Sequence, residues 1–521
     1  MKIQVVCSSS DQYAGEIVEA ALIRSFSQAQ VSRTADSVAA NERCCVWVNP
    51  ADNASHDLKK HLAGGGKSLV LGRLGPKCAE ILGLEHRDGT ALAPQWGECP
   101  VEPTAHHNAT PASVHYHDAH PLARNSPIVV RPLCRFDFAD EWNNLGFGRI
   151  TLDGGPWSLQ SAIGIGSATL IARLNAPGQK GLVYSALCET ASGAALWFNR
   201  PVGPVDSLEW RVIESFLGDY RADDLPCFPY LSEIPAGYSG AVSARLDCDE
   251  AVGSARPLVE LYGAKEIPFS LSLLTGQPLD ARDMQLLREV IAHRGSVLSH
   301  SVHHYPNWGG SYERARTEAD DSRAWFDAHL REGMPMRFSV SPFHQNPPYA
   351  VQALADSGYE GFVGGIIAND PEYLLGRAGR VPFVTAPALS GPMVSLSTQC
   401  MLHGDCYHRY GNSIDTYSQS FDQHLAARSI FGYLDHPFSD RYQYGWQDEP
   451  VRLAAHSQLI DHINSHSDIW WASLSELLGF LRQRDAVLVE ASDNGTLTVE
   501  PPSDPERLPL AICWKGRQFA Y

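Results

Sequence analysis

Residues 241–246 form a short, mostly apolar run that leads without a break into Asp247-Cys248-Asp249-Glu250. Nothing else in the chain restricts the fold as strongly. A run of this kind reads as a buried strand, and carboxylates at its end are costly unless they are paired or bound to a metal. Parallel α/β sheets place their sites at the C-terminal ends of their strands. A helix over 258–263 and a strand over 268–273 follow, the order such a sheet requires.

A second stretch adds nitrogen donors. Gly295-Ser296-Val297-Leu298-Ser299-His300-Ser301-Val302-His303-His304 carries His300 and His304 four residues apart. One helical turn would bring these two side chains onto one face, within reach of a single ion. Two imidazoles and one carboxylate, with positions left open, describe a catalytic rather than a structural zinc site. His303 falls off that face and is expected at the surface or in a supporting role.

Acid-rich strand end, helix, strand, then His-Ser-x-x-His at a strand end: this order resembles the polysaccharide deacetylase (NodB-homology) family. Arg245-Leu246-Asp247-Cys248-Asp249 is similar to the R-I-D-V-D of bacterial deformylases that act on a lipid-linked formamido-arabinose. Phe338-Ser339-Val340-Ser341-Pro342-Phe343 resembles the family's R-P-P-[YW] segment, with Val340 standing where the family has Arg and Arg337 nearby. Tyr433-Leu434-Asp435-His436-Pro437-Phe438 resembles the late strand that carries a general acid. Ile469-Trp470-Trp471-Ala472-Ser473-Leu474-Ser475-Glu476-Leu477-Leu478 resembles the closing helix.

The resemblance implies a distorted (β/α) barrel and a divalent metal, most simply Zn²⁺, held by Asp249, His300 and His304. It implies Asp247 as general base, His436 as general acid, and the backbone N–H of Phe343 in an oxyanion hole. Exchange of roles between the two aspartates is the alternative. Tyr305 and Trp308 follow the histidine motif and are read either as core aromatics or as platforms for a sugar ring. Asp405 shares a loop with His403, Cys406 and His408; it is read as part of a cleft wall, placed to orient a catalytic group. Cys248 is read as a small core residue.

The first 100 residues alternate strands and helices: Ile3–Cys7, a helix over 14–26, a strand over 45–48, a helix Ser55–Ala63 with Ser55 as N-cap, and a strand over 68–71. Gly64-Gly65-Gly66 supplies the helix stop. This order implies a doubly wound parallel sheet. From about 100 to 195 the pattern is strand-rich, with turns at Asp153-Gly154-Gly155-Pro156 and Ala176-Pro177-Gly178. A strand at 194–199 and a helix over 207–217 follow. Trp47-Val48-Asn49-Pro50 and Gly64–Gly72 resemble the class I glutamine-amidotransferase-like fold, used as a non-catalytic module beside carbohydrate enzymes. That family's cysteine nucleophile has its nearest counterpart in Cys78, and no His-Glu pair follows it.

Residues 219–238, with Pro226, Pro229 and Pro235, read as a linker. The expected units are therefore 1–235, an amidotransferase-like α/β domain with a strand-rich insertion; 236–484, the deacetylase-like domain; and 485–521, a small β appendage with turns at Asp493-Asn494-Gly495 and 501–505. A glycan-holding wall or a homo-oligomer interface are the uses such a non-catalytic N-terminal module suggests.

Composition narrows the function classes. With 41 Lys and Arg against 59 Asp and Glu, the net charge is −18. That disfavours a nucleic-acid binder, which needs cations to displace counterions from phosphate, and equally an anionic membrane surface. The 12 cysteines are scattered without a C-x-x-C pair, as in a reduced cytoplasmic protein. The apolar run after Met1-Lys2 is too short for a signal-peptide core, and no stretch is long enough to span a bilayer. The expectation is a cytoplasmic hydrolase of an N-acetyl or N-formyl amide on an acylamino sugar, in surface-polysaccharide biosynthesis. Its substrate would be a nucleotide- or lipid-linked sugar or glycan. The alternatives are an inactive carbohydrate-binding or scaffold protein on the same fold, or a metal hydrolase of another amide such as a uronamide.

Overall fold

The computed structural model describes residues 1–35, 42–87, 92, 96, 112–133, 154–204, 207–330, 336–364, 374–398, 400–409, 411–437, 444–492, 495–500 and 508–521. Asp153, Phe438, the Asp493-Asn494 turn, the turn at 501–505 and much of the strand-rich stretch after 100 lie outside these residues.

Four pentads, Ile3–Cys7, Cys44–Val48, Lys67–Leu71 and Ala194–Phe198, are buried at every position. Continuous burial is the mark of parallel strands covered on both faces, and all four lie in one sheet with Val31–Ala35 outermost. Ala194–Phe198 returns beside Lys67–Leu71 in parallel register, Trp197 opposite Val70. The strand-rich insertion extends the same sheet antiparallel through Gln179–Glu189, Thr169–Ala176, Ser113–Tyr116 and Val130–Pro132, making nine strands. Helix Ser55–Ala63 has Ala54, not Ser55, at its N-cap, and no side chain caps it. It ends at Gly64, and the next residue, Gly65, sits at φ +84°, where a side chain would be strained.

Cys78 lies in helix Pro76–Ile81, fully buried, and its Sγ donates to the Ala51 carbonyl at 3.6 Å. Burial, then the Asp52 charge, pushes the thiol up to about 11, so it has none of the thiolate character a nucleophile needs.

The stretch read as a linker is packed instead. Cys227, Phe228, Tyr230, Leu231 and Ile234 are buried, and Tyr230–Leu231 pairs antiparallel with Ala511–Trp514. Apolar side chains spaced between prolines supplied the area to bury, and the chain end supplied the partner strand. The tail makes two hairpins, Leu488–Ala491 with Leu497–Glu500 and Ala511–Trp514 with Arg517–Ala520. An ion pair buried on both sides ties helix Ser207–Gly218 to the later chain: Arg377 donates to Glu214 from Nε at 2.9 Å and Nη2 at 2.7 Å.

The second large sheet has ten strands. Its order is Gly379–Arg380, Val394–Ser397, Gly361–Gly364, Phe338–Val340, Val297–Ser299, Ser270–Leu273, Gly240–Cys248, Phe431–Asp435 and Cys400–Met401, with Ile469–Trp471 also on Gly240–Cys248. All pairings are parallel except that of Gly379–Arg380. The pairings of the described residues form an open path, without the closure of a barrel. Ile469–Trp471, expected within the closing helix, is a strand; the helix is Leu474–Ala486, and Ser473 with Glu476 forms its capping box. Aromatic and β-branched residues favour the strand, and the serine cap fixes where the helix starts.

Register decides what this sheet presents at its edge. Cys248 is opposite Leu273, Leu273 opposite Ser299, and Ser299 opposite Ser339. The residues just past these strand ends, Asp249 and His300 among them, therefore emerge along one rim. Asp435 pairs with Leu246, which brings His436 to the same rim.

Candidate metal centre

Asp249, His300 and His304 converge. His300 Nε2 lies 3.3 Å and His304 Nε2 3.6 Å from Asp249 Oδ1, and the two Nε2 atoms are 3.1 Å apart. The helical turn expected to bring the histidines together is absent. Both sit in the loop after Val297–Ser299, where Ser301 (φ 68°) and His304 (φ 55°) adopt left-handed backbone. That tight loop turns the rings toward each other. His303 points away, bonded to Glu318 at 2.6 Å and more than half exposed.

The donor set fits a divalent ion. Asp249 Oδ1 is buried and has no hydrogen-bond partner among the described residues, although two imidazoles face it. His300 Nδ1 bonds the Val340 carbonyl at 2.9 Å, so a proton held there would leave Nε2 for an ion; without an ion, burial lowers the His300 pKa but Asp247 and Asp249 outweigh it and raise it. Burial raises Asp249, but His300, His436 and His304 outweigh it and hold the carboxyl down to about 2. Burial and then His300 press His304 down to about 4. An anionic carboxylate and a neutral imidazole are the forms a metal requires.

Asp247 is buried more deeply. Arg245 donates to it from Nε at 2.7 Å and from Nη2 at 3.1 Å, and Ser272 Oγ donates to the same carboxylate. Burial would raise its pKa; the Arg245 guanidinium, then His300 and His344, hold it well below the carboxylate range. Arg337, three strands away, pairs with Glu360. Arg245 thus brings Asp247 a guanidinium that Val340 cannot. The signal was present in the sequence, since residues i and i+2 of a strand share a face. His344 was missed: it is buried, with Nε2 3.1 Å from Arg245 Nη2 and 3.8 Å from Asp247 Oδ2.

His436 completes the rim. Its Nε2 is 3.6 Å from Asp249 Oδ2, its ring stacks on Tyr444 at 4.2 Å, and its Nδ1 is 2.7 Å from His403 Nε2. Burial first, then His403, holds it neutral, down to about 3. Its neighbour Asp435 takes Arg452 at 2.6 Å and His456 at 3.1 Å, anchoring the strand end. Asp405, half exposed, lies 3.9 Å from His403 Nδ1, so among the described residues it is His403 that meets His436.

Phe343 (φ 51°) turns the chain beside the site, its ring 4.5 Å from that of His304. Tyr305 is partly exposed, stacked on His303 at 5.1 Å with Arg314 over its ring. Trp308 is 1% exposed and donates from Nε1 to the Gln345 carbonyl at 3.2 Å. It is a core residue with no face open to a sugar, because the loop after the histidines folds over it. Cys248 is buried, and burial pushes its thiol far above the usual range.

No family model matches the chain, and no curated protein matches its sequence. Among solved structures it is similar to the carbohydrate deacetylase Agd3, with TM-score 0.41, 12% identity, and 98% of this chain and 93% of that one covered. It is similar to a candidate polysaccharide deacetylase from Mycobacterium smegmatis (TM-score 0.37, 13% identity, 48% of this chain and 92% of that one). A family 4 acetyl xylan esterase from Clostridium thermocellum in complex with cobalt also matches (TM-score 0.29, 15% identity, 46% and 90%). The solved structures similar to this chain thus include polysaccharide deacetylases and a related esterase, at identities and scores so low that the residues at the rim, not the likeness, carry the functional reading.

Proposed function

We propose that the chain is a divergent polysaccharide deacetylase, hydrolysing an N-acetyl or N-formyl amide on an acylamino sugar. The observation that carries this is the orphaned, buried Asp249 Oδ1 facing two imidazole Nε2 atoms, beside an Asp247 bound by Arg245 and Ser272. Catalysis is assigned to 236–484, with 1–235 a non-catalytic α/β unit and 485–521 a β appendage.

Asp249, His300 and His304 would hold a divalent ion, most simply Zn²⁺. When bound, such an ion polarises an amide carbonyl and lowers the pKa of a water to about 7. Asp247, oriented by Arg245 and Ser272, accepts the proton of the attacking water. The Phe343 N–H donates to the developing oxyanion. His436 protonates the leaving nitrogen from Nε2, while His403 passes a replacement proton to Nδ1; this relay suits a ring that rests neutral. Tyr305, partly exposed at the end of the histidine loop, would meet the sugar with the part of its ring that His303 and Arg314 leave uncovered.

The ten cysteines described are all free, which supports a reducing compartment and a nucleotide- or lipid-linked precursor met before export. No described helix is long and apolar enough to cross a membrane. The inactive-scaffold reading drew on the arginine missing at Val340 and on the irregular acid motif; Arg245 on Asp247 answers the first of these. Incubation of zinc-loaded protein with N-acetyl and N-formyl amino sugars tests the proposal: acetate or formate should appear with a free amine. Ammonia from a uronamide instead would keep the centre and change the substrate. No release from any N-acyl sugar, in free or nucleotide-linked form, would overturn it.

A further inference from the structure

A second donor set lies on the outer side of two helices and has no part in the chemistry above. Asp422 is carried by Asp415–Ala427, and His462 by the last turn of Glu449–Asn464, with His466 just past its end. Asp422 Oδ1 is 2.9 Å from His462 Nε2 and 3.3 Å from His466 Nε2, and all three ligand atoms fall within 4.8 Å of one another. His462 and His466 straddle the end of the helix, where His466 N–H bonds the Ile463 carbonyl, and their rings lie 5.5 Å apart, tilted by 67°.

The cluster is held from beneath. The Phe421 ring meets His462 edge-on at 6.0 Å and His466 at 5.3 Å, and Phe421 itself packs on Phe431 in the core. The rings are thus oriented by packing rather than swinging free. All three side chains keep about a third to a half of their surface in solvent, leaving room for water to complete a coordination shell. The helix C-terminus beneath His462 favours a cation.

We propose that Asp422, His462 and His466 form a second divalent transition-metal site, which clamps helix Asp415–Ala427 to helix Glu449–Asn464. Two imidazoles and one carboxylate select Zn²⁺, Cu²⁺ or Ni²⁺ over Mg²⁺ or Ca²⁺. The role is structural. The ion joins elements adjacent in space and distant in sequence, and binds the folded chain only, so occupancy raises the melting temperature. The inference does not depend on the deacetylase reading.

The test uses full-length, tag-free protein carrying His300→Ala and His304→Ala, so that the first centre cannot report. After equilibration with Zn²⁺ and desalting, this background should retain about one zinc per chain, and its melting temperature should rise with added Zn²⁺. Adding Asp422→Asn, or His462→Ala with His466→Ala, should abolish both. These exposed substitutions made in wild type should leave hydrolysis unchanged. Cu²⁺ on the background should give an electron paramagnetic resonance spectrum with nitrogen coupling, lost in the added variants. No zinc retained and no thermal shift in the background, or the same zinc retained after the added substitutions, would overturn the proposal.

Discussion

The Arg245 guanidinium and the Asp247 carboxylate meet from two positions of one strand, Nε to Oδ1 at 2.7 Å and Nη2 to Oδ2 at 3.1 Å, both sealed from solvent. An extended backbone puts residues i and i+2 on the same face, and Ser272 and Thr398 hold the two side chains from neighbouring elements. Removing one partner of a buried ion pair leaves the other charge uncompensated, at a cost of about 3–5 kcal/mol. Arg245→Met should lower the unfolding free energy from urea melts by that order and abolish turnover. Arg245→Lys, unable to make both bonds, should keep part of the stability and little of the rate. Unchanged kcat in a folded Arg245→Met would remove Arg245 from the site.

His403 and His436 invite a separate experiment, because their contact is direct at 2.7 Å. Loss of general-acid support lowers rates by about 10²–10⁴. His436→Ala should fall within that range and His403→Gln near its lower end, with bound zinc unchanged in both. Loss of zinc from His403→Gln would mean that it supports the metal instead.

Tyr305 and Trp308, three residues apart, should behave differently. Tyr305→Ala should raise KM several-fold with little change in kcat. Trp308→Ala should cost about 3–5 kcal/mol of stability, as for a large buried aromatic. A stable Trp308→Ala with weakened sugar binding would reverse the assignment.

The Glu214–Arg377 pair should show in acid. Burial alone would raise the Glu214 pKa, but Arg377 and Arg211 hold it below its usual value of 4.5. A depressed carboxyl contributes stability that is complete above the unfolded value, near 4.3, and lost as pH falls through the folded one. Urea midpoints at pH 7 and pH 3.5 should therefore differ more in wild type than in Glu214→Gln.

Much of this was legible before any coordinates. The pentad Cys44–Val48 declares a buried strand by unbroken apolarity, whereas Lys67–Leu71 opens on two polar residues, and Asp249, His300 and His304 stand out as candidate ligands by residue type and order. What was not legible depended on tertiary partners. The fate of 219–238 was decided by Ala511–Trp514, far off in sequence. The histidines meet through left-handed backbone at Ser301 and His304, not through a helical turn. His344 approaches Asp247 across 97 residues, and His403 reaches His436 across 33; no local periodicity reports such contacts.

The role proposed for Asp249, His300 and His304 is to bind a catalytic divalent ion. Its most direct test is elemental analysis of tag-free protein carrying Asp422→Asn, so that only this centre can report. That protein should hold about one zinc or other first-row ion per chain, and adding His300→Ala and His304→Ala should leave none. The same protein without metal even after reconstitution, or with metal retained after both substitutions, would contradict the account.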